Sequence, residues 1–497
     1  MPAIITDKFR IHNSEQFREA FSEASGNTMY LGIGRPQPFA TSTRGDARTN
    51  NEGSDISPLT PADNLNAQHF PFDDMLASKK IPTTDVTFAI PRRNWVTGTT
   101  YDTYRHDYGE YATGGTTVIT ANSGASTLFD ATFYVLTADR NVYKCLDNDG
   151  NTASTVEPTG TSTSVITTGD GYKWKYMYTL SAAQQSNFLS TDFMAVATNS
   201  TVSSAATDGG IDIVKIKTAG SSYTVSGGGT SGTITNVPIR GDGSSAVCSV
   251  TLTSGAITAV TITTNGSGYT SGYIRNADII GATGAGGAGS GAELDVIIPP
   301  KGGHGFNAVE ELGGFFVMLN TTLEGTESSN SGDFTAANDF RKITLIKDPQ
   351  NAAGSAASAT TLRGTYAIKI NTSPTPGTFV ADEEINQAST GAVGKVVEWD
   401  ATNKILYYIQ TRHNDAGADT NGNVTAFSGT NVITGQTSSA TGTPQNTTST
   451  VNNVSFTAGY AAPELKHDTG EILYVENRTK IARATDQTEN IKLIIEF

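Results

Sequence analysis

The sequence predicts a mainly β, multidomain protein: an antiparallel β-sandwich-like scaffold with few short helices and two inserted Gly/Thr-rich β-modules. Three observations carry this. The chain has 497 residues, more than the roughly 250–300 that one hydrophobic core organises, so two to four modules are expected. Only 16% of residues are charged and 52 are glycine, a mixture that disfavours long helices and favours short strands joined by turns. Apolar alternation recurs along the whole length, which separates the chain from a disordered one.

The scaffold opens at 1–205, in sequence of ordinary complexity. One helix is signalled there, with Asn13 as cap, Gln16 three residues later, and Phe17, Ala20, Phe21 and Ala24 on one face. "TMYLGIGRPQPFA" reads as a strand stopped by Pro36 and Pro38. "DVTFAIPRRNW" is a strand entering a Pro-led loop, and "TFYVLTADRNVYKCLDNDG" a hairpin turning near Ala138 to Asn141. "GDGYKWKYMYTLS" places Tyr172, Trp174, Tyr176 and Tyr178 at alternate positions, on one face of a strand.

Residues 206–300 change character and contain a repeat. "IDIVKIKTAGSSYT" from Ile211 aligns with "ITAVTITTNGSGYT" from Ile257, a shift of 257 − 211 = 46 residues. The register carries Cys248 onto Leu294 and Val250 onto Val296. Two copies of a strand–turn–loop–strand unit are expected to form one surface-mounted β-module. Val214, Ile216, Cys248 and Val250 should pack against Val260, Ile262, Leu294 and Val296, with the module's ends close together.

The scaffold returns at 301–350 with "GGFFVMLNTTL" and "FRKITLIKDP". A second inserted β-module spans 351–458, with strands "TYAIKI", "GKVVEWD" and "KILYYIQT"; its tract "GQTSSATGTPQNTTSTVNN" reads as a mobile loop or an extended edge. C-terminal scaffold strands occupy 459–497: "ILYV", a polar turn at Asp486 to Asn490, then Ile491, Leu493, Ile495 and Phe497 at strand spacing. The last strand is expected to pair into a sheet begun by the first segments.

A formal charge of −15 argues against a phosphate-backbone binder and an anionic membrane surface. No run reaches the ~20 apolar residues of a membrane span. "MPAIITDKFR" lacks the basic and apolar regions of a signal peptide. Cys145 and Cys248 are expected to be reduced and packed, consistent with synthesis in a cytoplasm.

The sequence yields no catalytic, cofactor-binding or metal-ligating residues. The six histidines are scattered singly. "DNDGN" at Asp147 to Asn151 lacks the glutamate of a calcium loop, Pro158 standing in its place, and reads as a tight Asx turn; so does "DTNGN" at Asp419 to Asn423. Glu157 and Asp170, flanking the aromatic strand, are the least poor pair for glycoside hydrolysis, set against solvated turn carboxylates. Arg92 and Arg93 either hold an anionic ligand or make bidentate bonds to carboxylates that lock a loop or interface. The Tyr172–Tyr178 stripe is either a carbohydrate platform or the packing of a core or subunit interface.

The stretch "GEILYVENRTKIARATDQTENIKLIIEF" resembles the C-terminus of a baseplate wedge subunit of T-even-like contractile-tailed bacteriophages, through "GE-x-x-Y-x-ENR" at Gly470–Arg478 and "DQTE-x-I" at Asp486–Ile491. "TDKFR", "GRPQPF" at Gly34–Phe39, "IPRRNW" at Ile90–Trp95, "VYKCLD" at Val142–Asp147 and "EP…GDGYKWKY" from Glu157 to Tyr176 match in the same order. The resemblance implies a non-enzymatic structural protein, without cofactors. It implies a homodimer in the wedge of a tail baseplate, bound to the large wedge subunit and to the trimeric protein that carries the short tail fibres. The virion tail is its expected location and the infected cytoplasm its place of assembly. The two insertions depart from the shorter family pattern. The rival reading is a host-surface carbohydrate-binding or carbohydrate-active tail adhesin.

Overall fold

A computed structural model describes residues 4–23, 27–39, 53–112, 115–324, 338–411, 421, 423–482 and 487–497. The chain is mainly β, with antiparallel sheets and a few short helices. It divides into two units: Met1–Arg18, Thr87–Met318 and Ile494–Phe497 form one, Glu19–Val86 and Leu319–Leu493 the other. Segment 206–300 falls within the first and 351–458 within the second.

The first unit opens on a helix, Asp7–Ala20. It starts six residues before the expected cap at Asn13, which lies inside it. The start is set by Thr6, whose Oγ1 accepts the Phe9 N–H at 3.4 Å, with Asp7 in the first turn beside the unpaired amides. The buried face holds Ile11 and Ser14; of the residues expected on it, Ala24 lies outside the described residues.

The predicted hairpin forms from Tyr134–Leu136 and Asn141–Asp147, turning through Arg140 at a φ of 63°. Asn141–Asp147 pairs on its other side with Lys173–Thr179, the aromatic strand. The expected single stripe is broken. The register shifts between Val142 and Tyr143, so that Val142 faces Tyr178 and Tyr143 faces Tyr176. This bulge leaves Tyr172, Trp174 and Tyr176 in one cluster with Tyr101, Tyr143 and Cys145. Tyr178 goes instead with Met177 into the larger core, with Ile90, Leu136 and Met194.

A second sheet runs in the order Thr488–Glu496, Phe316–Glu324, Val86–Pro91, Phe193–Val196. The C-terminal strand is thus paired, as its alternation predicts, and the Phe497 N–H continues the pairing to Phe315 O at 3.0 Å. Ile491 and Leu493 are buried, while Ile494, from the opposite face, packs against the large core. The strand begins at Thr488, inside the stretch read as a turn; 483–486 lie outside the described residues.

The repeat folds by exchange. Strand Ile213–Ser221 of the first copy pairs with Ser290–Ile297 of the second. Strand Val247–Thr253 of the first pairs with Ala256–Thr264 of the second. Cys248 faces Ile262 and Val250 faces Val260; Leu294 faces Ile216 and Val296 faces Val214. Adding or subtracting 46 converts one set of pairs into the other, so the two copies are related by a pseudo-two-fold. These side chains share one core with Tyr223 and Tyr269. At the root, Ile213 faces Ile297, and both enter the large core.

In the second unit a five-stranded sheet runs Thr361–Arg363, Met75–Lys80, Met29–Gly34, Phe340–Lys347, Glu471–Ile481. Phe340–Lys347 is buried at every position but its last, as a central strand covered on both faces should be. Residues 351–458 contribute Tyr366–Lys369, Glu384–Gln387, Ala392–Asp400 and Ile405–Ile409 to a seven-stranded sheet whose end strand is Tyr460–Ala461. The Gly435–Asn453 tract supplies the other end strand, Thr441–Gly442, and then Ser449–Val451, which turns back through Asn452 and Asn453 at φ of 50° and 60° to pair with Val454–Phe456 in a two-stranded sheet of its own.

Candidate functional site

Arg92 and Arg93 follow Pro91, where the strand Val86–Pro91 ends. Their partners are carbonyl and amide oxygens, not the carboxylates expected. Arg92 Nη1 donates to Ser190 O at 2.8 Å and Nε to Asn94 Oδ1 at 2.9 Å. Arg93 donates to Ala131 O and, at 3.1 Å, to Phe129 O, its guanidinium lying 4.7 Å from the Tyr134 ring centroid. A guanidinium has five donors in a fixed fork, and a loop with unpaired carbonyls satisfies it as well as a carboxylate does. The pair therefore staples the loops around 129–131 and 190.

The bidentate lock occurs elsewhere. Arg341, in the buried central strand, donates to both oxygens of Asp55 at 2.9 and 3.0 Å, and to Pro36 O. Sequence spacing gives no hint of this pair, because its members are far apart in the chain.

The aromatic strand offers no platform: Tyr172 and Trp174 are fully buried, Tyr176 and Tyr178 nearly so. Glu157 accepts the Ala138 N–H at 2.9 Å. Asp170 accepts the N–H groups of Thr155 and Val156 at 2.7 and 2.9 Å, with the hydroxyls of Ser154 at 3.1 Å and Thr168 at 2.5 Å. Burial would raise its pKa, but these bonds outweigh it and hold the carboxyl down at about 2. Both acids are turn locks. Asn148 and Asn151 close the Asx turn, Asn148 Oδ1 accepting the Asn151 N–H at 3.2 Å. Most of Asp419 to Asn423 lies outside the described residues. Cys145 and Cys248 are free and buried, and burial pushes the Cys248 thiol up to about 12.

A buried polar centre escaped the sequence reading. Lys144 and Glu311 form an ion pair with side chains 0% and 2% exposed. Glu311 also accepts N–H bonds from Gly305 at 2.8 Å and Asn307 at 3.2 Å. His304 packs edge-on to Tyr104 with centroids 4.8 Å apart, and Lys175 donates to Thr163 O at 2.5 Å. Lys144 sits in the middle of "VYKCLD" and breaks its apolar pattern, the one signal of it in the sequence.

The segment that carries Arg92, Arg93 and Lys144 is similar to a known family. Residues 3–147 match the Phage-Gp8 family, described as Bacteriophage T4, Gp8. This segment is similar to the Gp8 family. The Gp8 family is one of structural proteins of the phage baseplate wedge, and the match supports a baseplate wedge subunit of a T4-like phage located in the virion tail. No curated protein matches the chain. Among the described residues no helix is long and apolar enough to cross a membrane, and no three His, Cys, Asp or Glu side chains gather as a metal site.

Proposed function

We propose that this chain works as a dimer that links neighbouring wedge proteins, the large wedge subunit and the trimeric short-tail-fibre-carrying protein among them, and that it catalyses nothing. It assembles in the host cytoplasm before joining the tail. The Gp8 match over 3–147 is the observation that carries this reading. It is supported by the chemistry of the singled-out residues, since Arg92, Arg93, Glu157 and Asp170 are all taken up in holding loops. The adhesin reading drew on the aromatic stripe and on the β-rich insertions, and the rings of the stripe are core.

Segments 206–300 and 351–458 are, on this proposal, modules inserted into a scaffold made of 1–205, 301–350 and 459–497. The test is co-expression with the other wedge proteins, followed by light scattering of the chain alone and of the purified complex. A dimer that enters a wedge complex supports the proposal. A monomer, or a chain that binds or cleaves host polysaccharide and joins no wedge complex, overturns it.

A further inference from the structure

Beneath the repeat module, within the first unit, lies a cavity of about 570 Å³, within the size range of small-molecule sites. Its lining includes Thr163, Lys173, Lys175, Asp212, Asn265 and His304. His304 is 2% exposed, and neither ring nitrogen has a hydrogen-bond partner among the described residues. A buried imidazole with both nitrogens unpaired is costly, and such groups normally meet a ligand or water.

The surrounding charges decide what the ligand is. The Glu311 carboxylate is taken by Lys144 and by backbone N–H groups. Asp147 is taken by Lys173 at 3.3 Å. Among the described residues Lys175, 5% exposed, donates to the neutral Thr163 carbonyl and interacts with the Asp212 charge, leaving two ammonium protons to give. Asp212 accepts from Asn265; burial raises its pKa, and the charges of Lys175 and Lys144 pull the other way. Burial, then the charges of Lys144 and Lys175, press the His304 imidazole well below its usual range. It is therefore neutral, with one N–H donor, in a positive local field.

We propose that this cavity binds a small oxyanion, a phosphate or a carboxylate, between the Lys175 ammonium and the His304 N–H. Buried donors of this kind, in a site of low dielectric, bind charged acceptors more strongly than in water.

The test uses the full-length protein at fixed ionic strength, titrated calorimetrically with inorganic phosphate, citrate and, as control, chloride. Saturable binding of phosphate or citrate is expected, with no response to chloride, and which of the two binds assigns the anion class. Lys175→Gln should weaken binding at least tenfold. Should that variant fail to fold, the ¹⁵N shifts of the His304 ring in the wild-type protein decide: they should move with the same saturation curve. No saturable heat with either anion, or binding that leaves the His304 shifts in place, overturns the proposal.

Discussion

The hydroxyl of Tyr223, in the first repeat, accepts the backbone N–H of Ala292, in the second, at 3.4 Å. Tyr269 returns the contact, accepting from Ala246 at 3.3 Å. Each ring lies against a glycine of the opposite repeat's loop. A Cβ at Gly243 would stand 2.3 Å from the Tyr269 ring, and one at Gly289 would stand 2.2 Å from the Tyr223 ring. Gly243→Ala should therefore cost about 1–3 kcal/mol through overpacking. Gly289→Ala should cost more, since its φ of 124° adds backbone strain. Chemical denaturation of the two variants checks the order; equal or negligible losses would show that the loops yield.

Asp170 makes acid stability predictable. Its folded pKa, about 2, lies below the ordinary 3.8, so its contribution is present above about pH 4 and is lost as pH falls towards 2. Asp170→Asn should melt below wild type at pH 7, and the gap should close as the pH drops through that window. A gap that stays constant with pH would mean that the charge is not what holds the turn.

The buried ion pair should be costly to break on one side. Lys144→Met leaves Glu311 buried without its cation, a change that typically costs about 3–5 kcal/mol. Adding Glu311→Gln should restore part of the loss, because a neutral amide demands less solvation. Thermal unfolding of the single and double variants measures the coupling, and strictly additive losses would refute it.

The C-terminal strand should be indispensable. Deleting 491–497 removes buried Ile491 and Leu493, each worth roughly 1.5–3 kcal/mol. It also removes Phe497, whose ring lies 5.2 Å from that of Phe17 and whose carbonyl Arg10 contacts. Insoluble or strongly destabilised protein is the expected result, and soluble protein with an unchanged melting temperature the contrary one.

Excision of the repeat module should succeed only above its root. Thr218 faces Glu293, so replacing 219–292 with Asn-Gly closes the strand pair as a two-residue hairpin. The scaffold should then keep its fold. Excising 206–300 entirely should destabilise it further, because Ile213 and Ile297 belong to the large core of the first unit. Comparable melting temperatures for the two deletions would contradict this.

Strands were legible wherever alternation was clean, as in the repeat and in 491–497. There a face is decided by residue type alone, and the 46-residue register fixed which side chains meet. What it left open was the exchange between copies, since a strand's partner depends on topology. The helix start was misplaced because Asn13 resembles a cap as much as Thr6 does, and tertiary burial of Ile11 chose between them. The aromatic stripe was misjudged at Tyr178, because a one-residue bulge reverses a face without leaving a trace in spacing. Lys144 with Glu311, and Arg341 with Asp55, stayed invisible: partners so distant in sequence are joined by folding and by nothing local.

The exchanged repeat has a mechanical consequence. The chain enters the module at Ile213 and leaves it at Ile297, which are cross-strand neighbours, about one strand spacing apart. Tension carried along the backbone is therefore short-circuited at that point. It loads the rungs of the root one at a time, as at the mouth of a zipper, and leaves the rest of the module slack. A tail component built this way can bear a decoration without placing it in the line of force.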